Sequence, residues 1–355
     1  MMVDSYDERE IDELRELMRS HGLLRPVPEP LAADAAAEER LLARILRSPR
    51  APRPGLRAVL SLSVAAVLLL FVVLVGSGLS TSSPATASTP RQLEYSAADP
   101  AQVDRAPSAT STLQGLARTA ASSPASEAGE VQYVAMYGWL LDVSASAGAL
   151  EAVVHPTATE QWLAPDGAVR VDQRRARALT VEGHLDTDAE AGTERATDTA
   201  PPGTLDPELA SGLPTAVDSL QHSLLALQPP VCENSAQERT SCVVRAIESL
   251  YARYVVSPGL AASMWRVLAA QEGVKDFGST ADRIGRPVRA VAVADATSSD
   301  SAIVTVLLID ESTGLLVGTE TITLHDSALG LDEPTVTGFT TWTTVRYVAA
   351  VGDKN

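Results

Sequence analysis

Residues 58–79 read AVLSLSVAAVLLLFVVLVGSGL, and no charged residue occurs between Arg57 and Arg91. A helix rising about 1.5 Å per residue over this stretch is roughly 33 Å long, a match for a hydrocarbon core of about 30 Å. Core helices of globular domains rarely run so far without a charge, so the stretch reads as one transmembrane helix. Its flanks set the orientation. Arg40, Arg44, Arg47, Arg50, Arg53 and Arg57 precede it, and the first cation beyond it is Arg91. The positive-inside rule then places residues 1–57 in the cytoplasm and 80–355 outside, in a single-pass protein of the cell membrane whose partner along 58–79 is the lipid bilayer. Ala85-Thr86-Ala87 has the form of a cleavage site, but the long head and full-length apolar run favour an uncut signal anchor.

Working outward on the cytoplasmic side, residues 1–57 hold 10 Arg against 11 Asp and Glu. Ile11, Leu14, Leu17 and Met18 recur at helical spacing, and Gly22 with Pro26, Pro28 and Pro30 ends that helix. A second helix is expected over 31–47, stopped by Pro49. Two helices with so few large apolar residues cannot bury a core of their own. Either they dock on a partner through the face of Ile11, Leu14, Leu17 and Met18, or they form a solvated tail.

On the other side, residues 80–109 are rich in Ser, Thr, Pro and Ala and read as a flexible stalk. The remaining residues, 110–355, read as one extracytoplasmic α+β domain: an antiparallel, half-barrel-like sheet with a helical insert at 207–272. A short helix is expected near 111–121. From Glu130 the chain turns to strands, with Val131–Leu141 apolar on both faces. Further strands are expected at 149–154, 158–164 and 168–181, the last entered through the Pro165-Asp166-Gly167 turn. Residues 184–206 are acidic and read as an exposed loop. Helices are expected at 214–227, 235–256 and 258–271, and strands at 274–280, 287–294, 302–310, 315–324 and 335–348. Glu311-Ser312-Thr313-Gly314 reads as a hairpin loop.

The whole chain carries a net charge of −17, nearly all of it beyond residue 57, which argues against direct contact with nucleic acid, and against an anionic membrane surface as a partner of the bulk of the protein. Cys232 and Cys242 are the two cysteines and both lie in the exported part, where an oxidising compartment favours a disulfide between them. Nucleotide, nucleophile-elbow and zinc-protease motifs are absent from the sequence, and the five His residues have no ligand spacing, so no catalytic residue, metal or cofactor is expected. Tyr133, Tyr137 and Trp139 share one strand face. They are either core or the lining of an apolar groove.

Several stretches carry a resemblance: Glu130–Val134, Glu160–Gly167, Pro258–Leu268, Gly273-Val274, Asp282-Arg283-Ile284-Gly285-Arg286-Pro287 and Ile309–Leu316. In these the chain resembles an actinobacterial family of single-pass membrane proteins of unknown function. The order of parts is also similar to that of membrane anti-sigma factors, although residues 1–57 lack the cysteines of the zinc-binding type. The resemblance implies a non-enzymatic sensor or regulator whose cytoplasmic helices hold a sigma factor. The alternative it leaves open is an extracytoplasmic carrier or binding module for a lipid or other apolar ligand.

Overall fold

The computed structural model describes residues 89–124, 129–146, 149–175, 195–229, 232, 235–298, 301–326 and 331–354. All of these except Ala149 belong to one compact unit. The stretch 58–79, the face of Ile11, Leu14, Leu17 and Met18, and Ala85-Thr86-Ala87 lie outside the described residues. Among the described residues no helix is long and apolar enough to cross a membrane.

Among the described residues nine strands form a single sheet. They are β1 (Val131–Ser146), β2 (Ala149–Leu163), β3 (Val169–Arg175), β4 (Arg195–Ala200), β5 (Val274–Ala281), β6 (Pro287–Ser298), β7 (Ser301–Asp310), β8 (Leu316–Asp326) and β9 (Thr335–Val348), in the order β4-β3-β2-β1-β9-β8-β7-β6-β5. Two meanders therefore grow from opposite edges and meet where β1 pairs antiparallel with β9. The helical insert lies between them: α2 (Val217–Ala226), α3 (Ala236–Tyr251) and α4 (Pro258–Ala269), with α1 (Thr110–Ser122) preceding β1. Local chemistry starts two of these helices. Ser235 accepts a hydrogen bond from the Glu238 N–H to cap α3, and Ser257 caps α4 with Pro258 at the first helical position.

Alternation divides the strands between two faces. Val134, Leu163, Val291, Leu307, Ile309 and Trp342 point into one core, filled by Leu113 and Leu116 of α1, Ile247 and Leu250 of α3, and Trp265 of α4. On the opposite, outer face Val288, Ala290, Val304, Val306 and Ile322 form a second core. What covers that second core is the segment expected as a stalk. Residues 89–109 cross it as a strap, burying Leu93, Val103 and Ala106 and forming a 3-10 turn at Pro100–Arg105. The strap also follows the edge strand β5, through Ala97 N–H to Phe277 O (3.0 Å), Asp276 N–H to Pro107 O (2.8 Å) and Ala109 N–H to Val274 O (3.1 Å). Its apolar residues are too widely spaced to give a periodic pattern, which is why composition alone reads as linker.

Two smaller differences have similar causes. The acidic stretch expected as a loop contains β4, an exposed edge strand whose pairing comes from the β3 backbone and not from apolar alternation. The strands expected at 149–154 and 158–164 are one strand, β2; Pro156 lies just outside its register with β3, which begins at Thr157.

The hairpin loop between β7 and β8 is held by Asp310, whose carboxylate accepts from the N–H groups of Ser312 (2.8 Å) and Thr313 (2.9 Å). Burial would raise this carboxyl, but the Ser312 hydroxyl (2.6 Å) and then those N–H groups hold it below the usual range. Gly314 follows at φ 68°, with Ala120 N and Leu116 O both 2.6 Å from where a Cβ would stand. Gly273 has φ 79° and open space. Gly273→Ala should therefore cost about 1 kcal/mol, and Gly314→Ala clearly more because α1 must also move, as denaturant titration of both variants would show.

Candidate functional site

Asp282-Arg283-Ile284-Gly285-Arg286-Pro287 joins β5 to β6, and the structure explains each polar side chain in it. Asp282 is fully buried and accepts from the N–H groups of Ile284 (3.0 Å) and Arg286 (2.8 Å), and from Arg286 Nε (2.6 Å). Gly285 takes φ 83° to complete the turn. Arg286 also reaches Val317 O on β8 (3.0 Å). The turn thereby aims Arg283 inward. At 1% exposed, it donates to Glu320 Oε2 of β8 (2.5 Å) and to Arg91 O of the strap (2.6 Å), with its guanidinium 5.1 Å above the Phe339 ring.

Glu320 is itself fully buried, and its other oxygen receives the Leu93 N–H (3.4 Å) and the Tyr95 hydroxyl (3.3 Å). Burial pushes the Glu320 carboxyl above its ordinary value, and Arg283 pulls against that. Tyr95 is raised well above its own by burial and by the Glu320 charge. A desolvated ion pair thus fastens residues 91–95 to the sheet.

The sequence-predicted aromatic trio is on this outer face, but its members have different surroundings. Tyr133 is 3% exposed, stacks on Trp162 of β2 at 5.1 Å and donates to Glu160 (3.1 Å). Burial first, then Glu160, pushes its hydroxyl up. Trp139 is 2% exposed and lies edge-on to Phe339 at 6.1 Å. Tyr137 between them is only half-buried. Thr341 stands opposite Tyr137 in the β1–β9 register. Thr341 Oγ1 and Trp139 Nε1 are buried without a hydrogen-bond partner among the described residues. Tyr137 is therefore next to two buried polar groups that have no partner among the described residues. No sequence signal separates Tyr137 from its neighbours; the difference comes from what lies over each ring.

Cys232 and Cys242 form a disulfide, with Cα atoms 5.8 Å apart, that ties the chain entering α3 to the second turn of that helix. Both residues are buried. Sequence reading missed Glu248, on α3. It accepts a hydrogen bond from Thr319 of β8, and burial raises its carboxyl to about 7 against the weaker pull of that bond and of Arg245. Only the packing of α3 on the sheet singles it out. Among the described residues no cluster of His, Cys, Asp or Glu could hold a metal ion.

No family model and no curated protein matches the chain. Among solved structures, the complex of Pseudomonas aeruginosa MucA and MucB is similar over 69% of this chain at 14% identity and a TM-score of 0.25. This chain spans 59% of that structure's length. A DUF1329 family protein from Desulfovibrio piger is similar at 9% identity over 70% of this chain and 95% of that one, with a TM-score of 0.16. Likenesses at these scores carry no argument about fold or function.

Three measurements follow from the geometry. Replacing both cysteines by Ala should lower stability by about 2–3 kcal/mol, because the bridge closes a loop between residues 10 apart; equilibrium unfolding checks it. Glu320→Ala, which strands Arg283 in a dry site, should cost about 3–5 kcal/mol, whereas pairing Arg283→Met with Glu320→Leu should recover much of that loss. The Glu248 carboxyl has a folded-state value near 7, above the ordinary 4.5, so the folded chain holds the extra proton between those values. Its contribution to stability is full below about pH 4.5 and is lost as pH rises towards 7. Glu248→Gln should remove that slope and raise stability at pH 8 by about 1–3 kcal/mol relative to the parent, read from paired melts across the range.

Proposed function

We propose that the chain is a membrane-anchored, non-enzymatic envelope regulator. In this reading the folded domain lies outside the cell, 58–79 cross the membrane, and the cytoplasmic face of Ile11, Leu14, Leu17 and Met18 holds a sigma factor. The observation that supports it most is the strap. A passive anchor would end in a loose stalk, but here the chain just beyond the apolar stretch is laid across the sheet and fastened at Arg91, Leu93 and Tyr95 by the Glu320–Arg283 pair. Leu79 and Arg91 are twelve residues apart, at most about 40 Å of extended chain. Freeing those residues would expose a buried charge pair, so strap release and disruption of the sheet are energetically coupled. That coupling is what a domain reporting its own state through one tether requires.

A second reading has one observation in its favour. The half-buried Tyr137, near Trp139 Nε1 and Thr341 Oγ1, which have no partner among the described residues, is where an apolar ligand with a hydrogen-bonding group would sit if the domain is a carrier. Tyr133 is consumed by Trp162 and Glu160, which removes one of the three rings expected to line such a groove.

Crosslinking in intact membranes, followed by pull-down of the full chain and of a version lacking residues 1–47, tests the first reading. A sigma factor recovered with the full chain alone is expected; identical partners from both would dismiss the regulator. Tyr137→Ala tests the second. Loss of co-purifying lipid with an unchanged melting temperature would favour the carrier, whereas an unchanged lipid content would dismiss it.

A further inference from the structure

The outer face of the sheet carries a charge pattern opposite to that of the rest of the domain. In antiparallel strands, residues directly opposite one another project to the same side. Arg170 is opposite Trp162 and Arg174 is opposite Arg195, while Arg346 is opposite Tyr133. The Trp162–Tyr133 stack fixes which side this is, because Gln132 and Gln161, the next residues along, bond instead to Pro207 O and Arg253 O on the helical side. The tail adds Lys354, which crosses the same face to reach Glu160 (2.5 Å), with Asp353 O receiving Trp162 Nε1 (2.6 Å).

Five cations are thus gathered here: Arg170, Arg174, Arg195, Arg346 and Lys354. Among the described residues the carboxylates beside them are Glu160, Asp172 and Asp353, so positive charge is in excess there. Arg170 is committed to Asp172 through two bonds, of 3.0 and 2.8 Å. Arg195 and Arg346 are exposed and make no ion pair among the described residues. All this occurs in a chain of net charge −17.

The same face receives the tether. Glu320, Phe339 and Trp139 stand opposite one another across β8, β9 and β1, and the strap enters at Arg91, over Glu320 and Arg283 in that row. We propose that the outer face of β1–β4 and β9 is a docking surface for the anionic headgroups of the bilayer that anchors the chain. The proposal rests on the membrane-anchored reading but not on the sigma-factor partner. Charge complementarity selects the bilayer as occupant, and a tether leaving from this face keeps it within reach of the headgroups. The rest of the acidic domain is repelled by the same surface, so the cations would orient it as well as hold it. Contact of this kind is screened by salt over about 8–10 Å.

The test uses the full chain in nanodiscs of phosphatidylcholine alone or of phosphatidylcholine mixed with phosphatidylglycerol, read by hydrogen–deuterium exchange. Slower exchange in 169–175, 195–200 and 343–348 is expected in the mixed discs only, and should disappear in high salt. Arg195→Glu with Arg346→Glu should weaken that protection by roughly fivefold per cation at least, while the corresponding Lys variants should keep it. Neither residue makes a contact that folding needs, and an unchanged melting temperature would verify this. Co-elution with both kinds of disc but equal exchange in them would overturn the proposal alone. Failure to co-elute with either would overturn the anchored reading and the proposal with it. Protection by soluble polyphosphate and not by the mixed discs would also overturn it, assigning the face to a soluble polyanion.

Discussion

The Arg283–Glu320 pair is the interaction around which the described domain is arranged. Each partner alone would be an uncompensated charge in a dry site, so neither half of the network can be assembled without the other. Arg283 is aimed by the β5–β6 turn, whose geometry depends on Asp282 and Gly285, and Glu320 is presented from the middle of β8. Both also bond to the strap: Arg283 donates to Arg91 O, and Glu320 accepts from the Leu93 N–H and the Tyr95 hydroxyl. Phe339 closes the site from β9. One pair therefore joins the late meander, its connecting turn and the chain arriving from residue 89.

That arrangement solves a problem set by the sheet. Strands β6–β8 are apolar on both faces, and the insert of α2, α3 and α4 with α1 covers only one of them. The strap covers the second, and by running beside β5 it also shields one edge of the sheet. A second polar anchor holds that edge. Asp276 is 6% exposed and accepts from Arg289 (2.9 Å), the Thr112 hydroxyl (2.6 Å) and the Gly278 N–H (2.9 Å). Burial would raise its carboxyl, but these donors hold it below the usual range. The domain is thus apolar in its layers and ionic at its joints, and the joints decide how the segments are connected.

Physical legibility followed periodicity. Helices α3 and α4 were readable because Ser235 and Ser257 are caps and their apolar residues recur at helical spacing. The β7–β8 hairpin was readable because Gly314 follows Asp310-Glu311-Ser312-Thr313, and the bridge between Cys232 and Cys242 was foreseen from compartment alone. The strap was not, since Leu93, Val103 and Ala106 are scattered through polar sequence. Strand β4 was not, because an exposed edge strand has no apolar alternation to show.

The sequence by itself determined which segments alternate as strands, where helices start and stop, where the charge changes across residue 57, and that 58–79 are apolar enough to span a bilayer. These are local properties, set by side-chain chemistry and spacing along the chain. Tertiary structure alone decided that Tyr133 is packed while Tyr137 is half open, that Glu248 titrates near neutrality, and that Arg283 finds Glu320 37 residues away. It also decided that Arg174, Arg195 and Arg346 gather on one face. Each of these depends on which surfaces meet, because desolvation and charge proximity are properties of the assembled layers and have no counterpart in the order of residues.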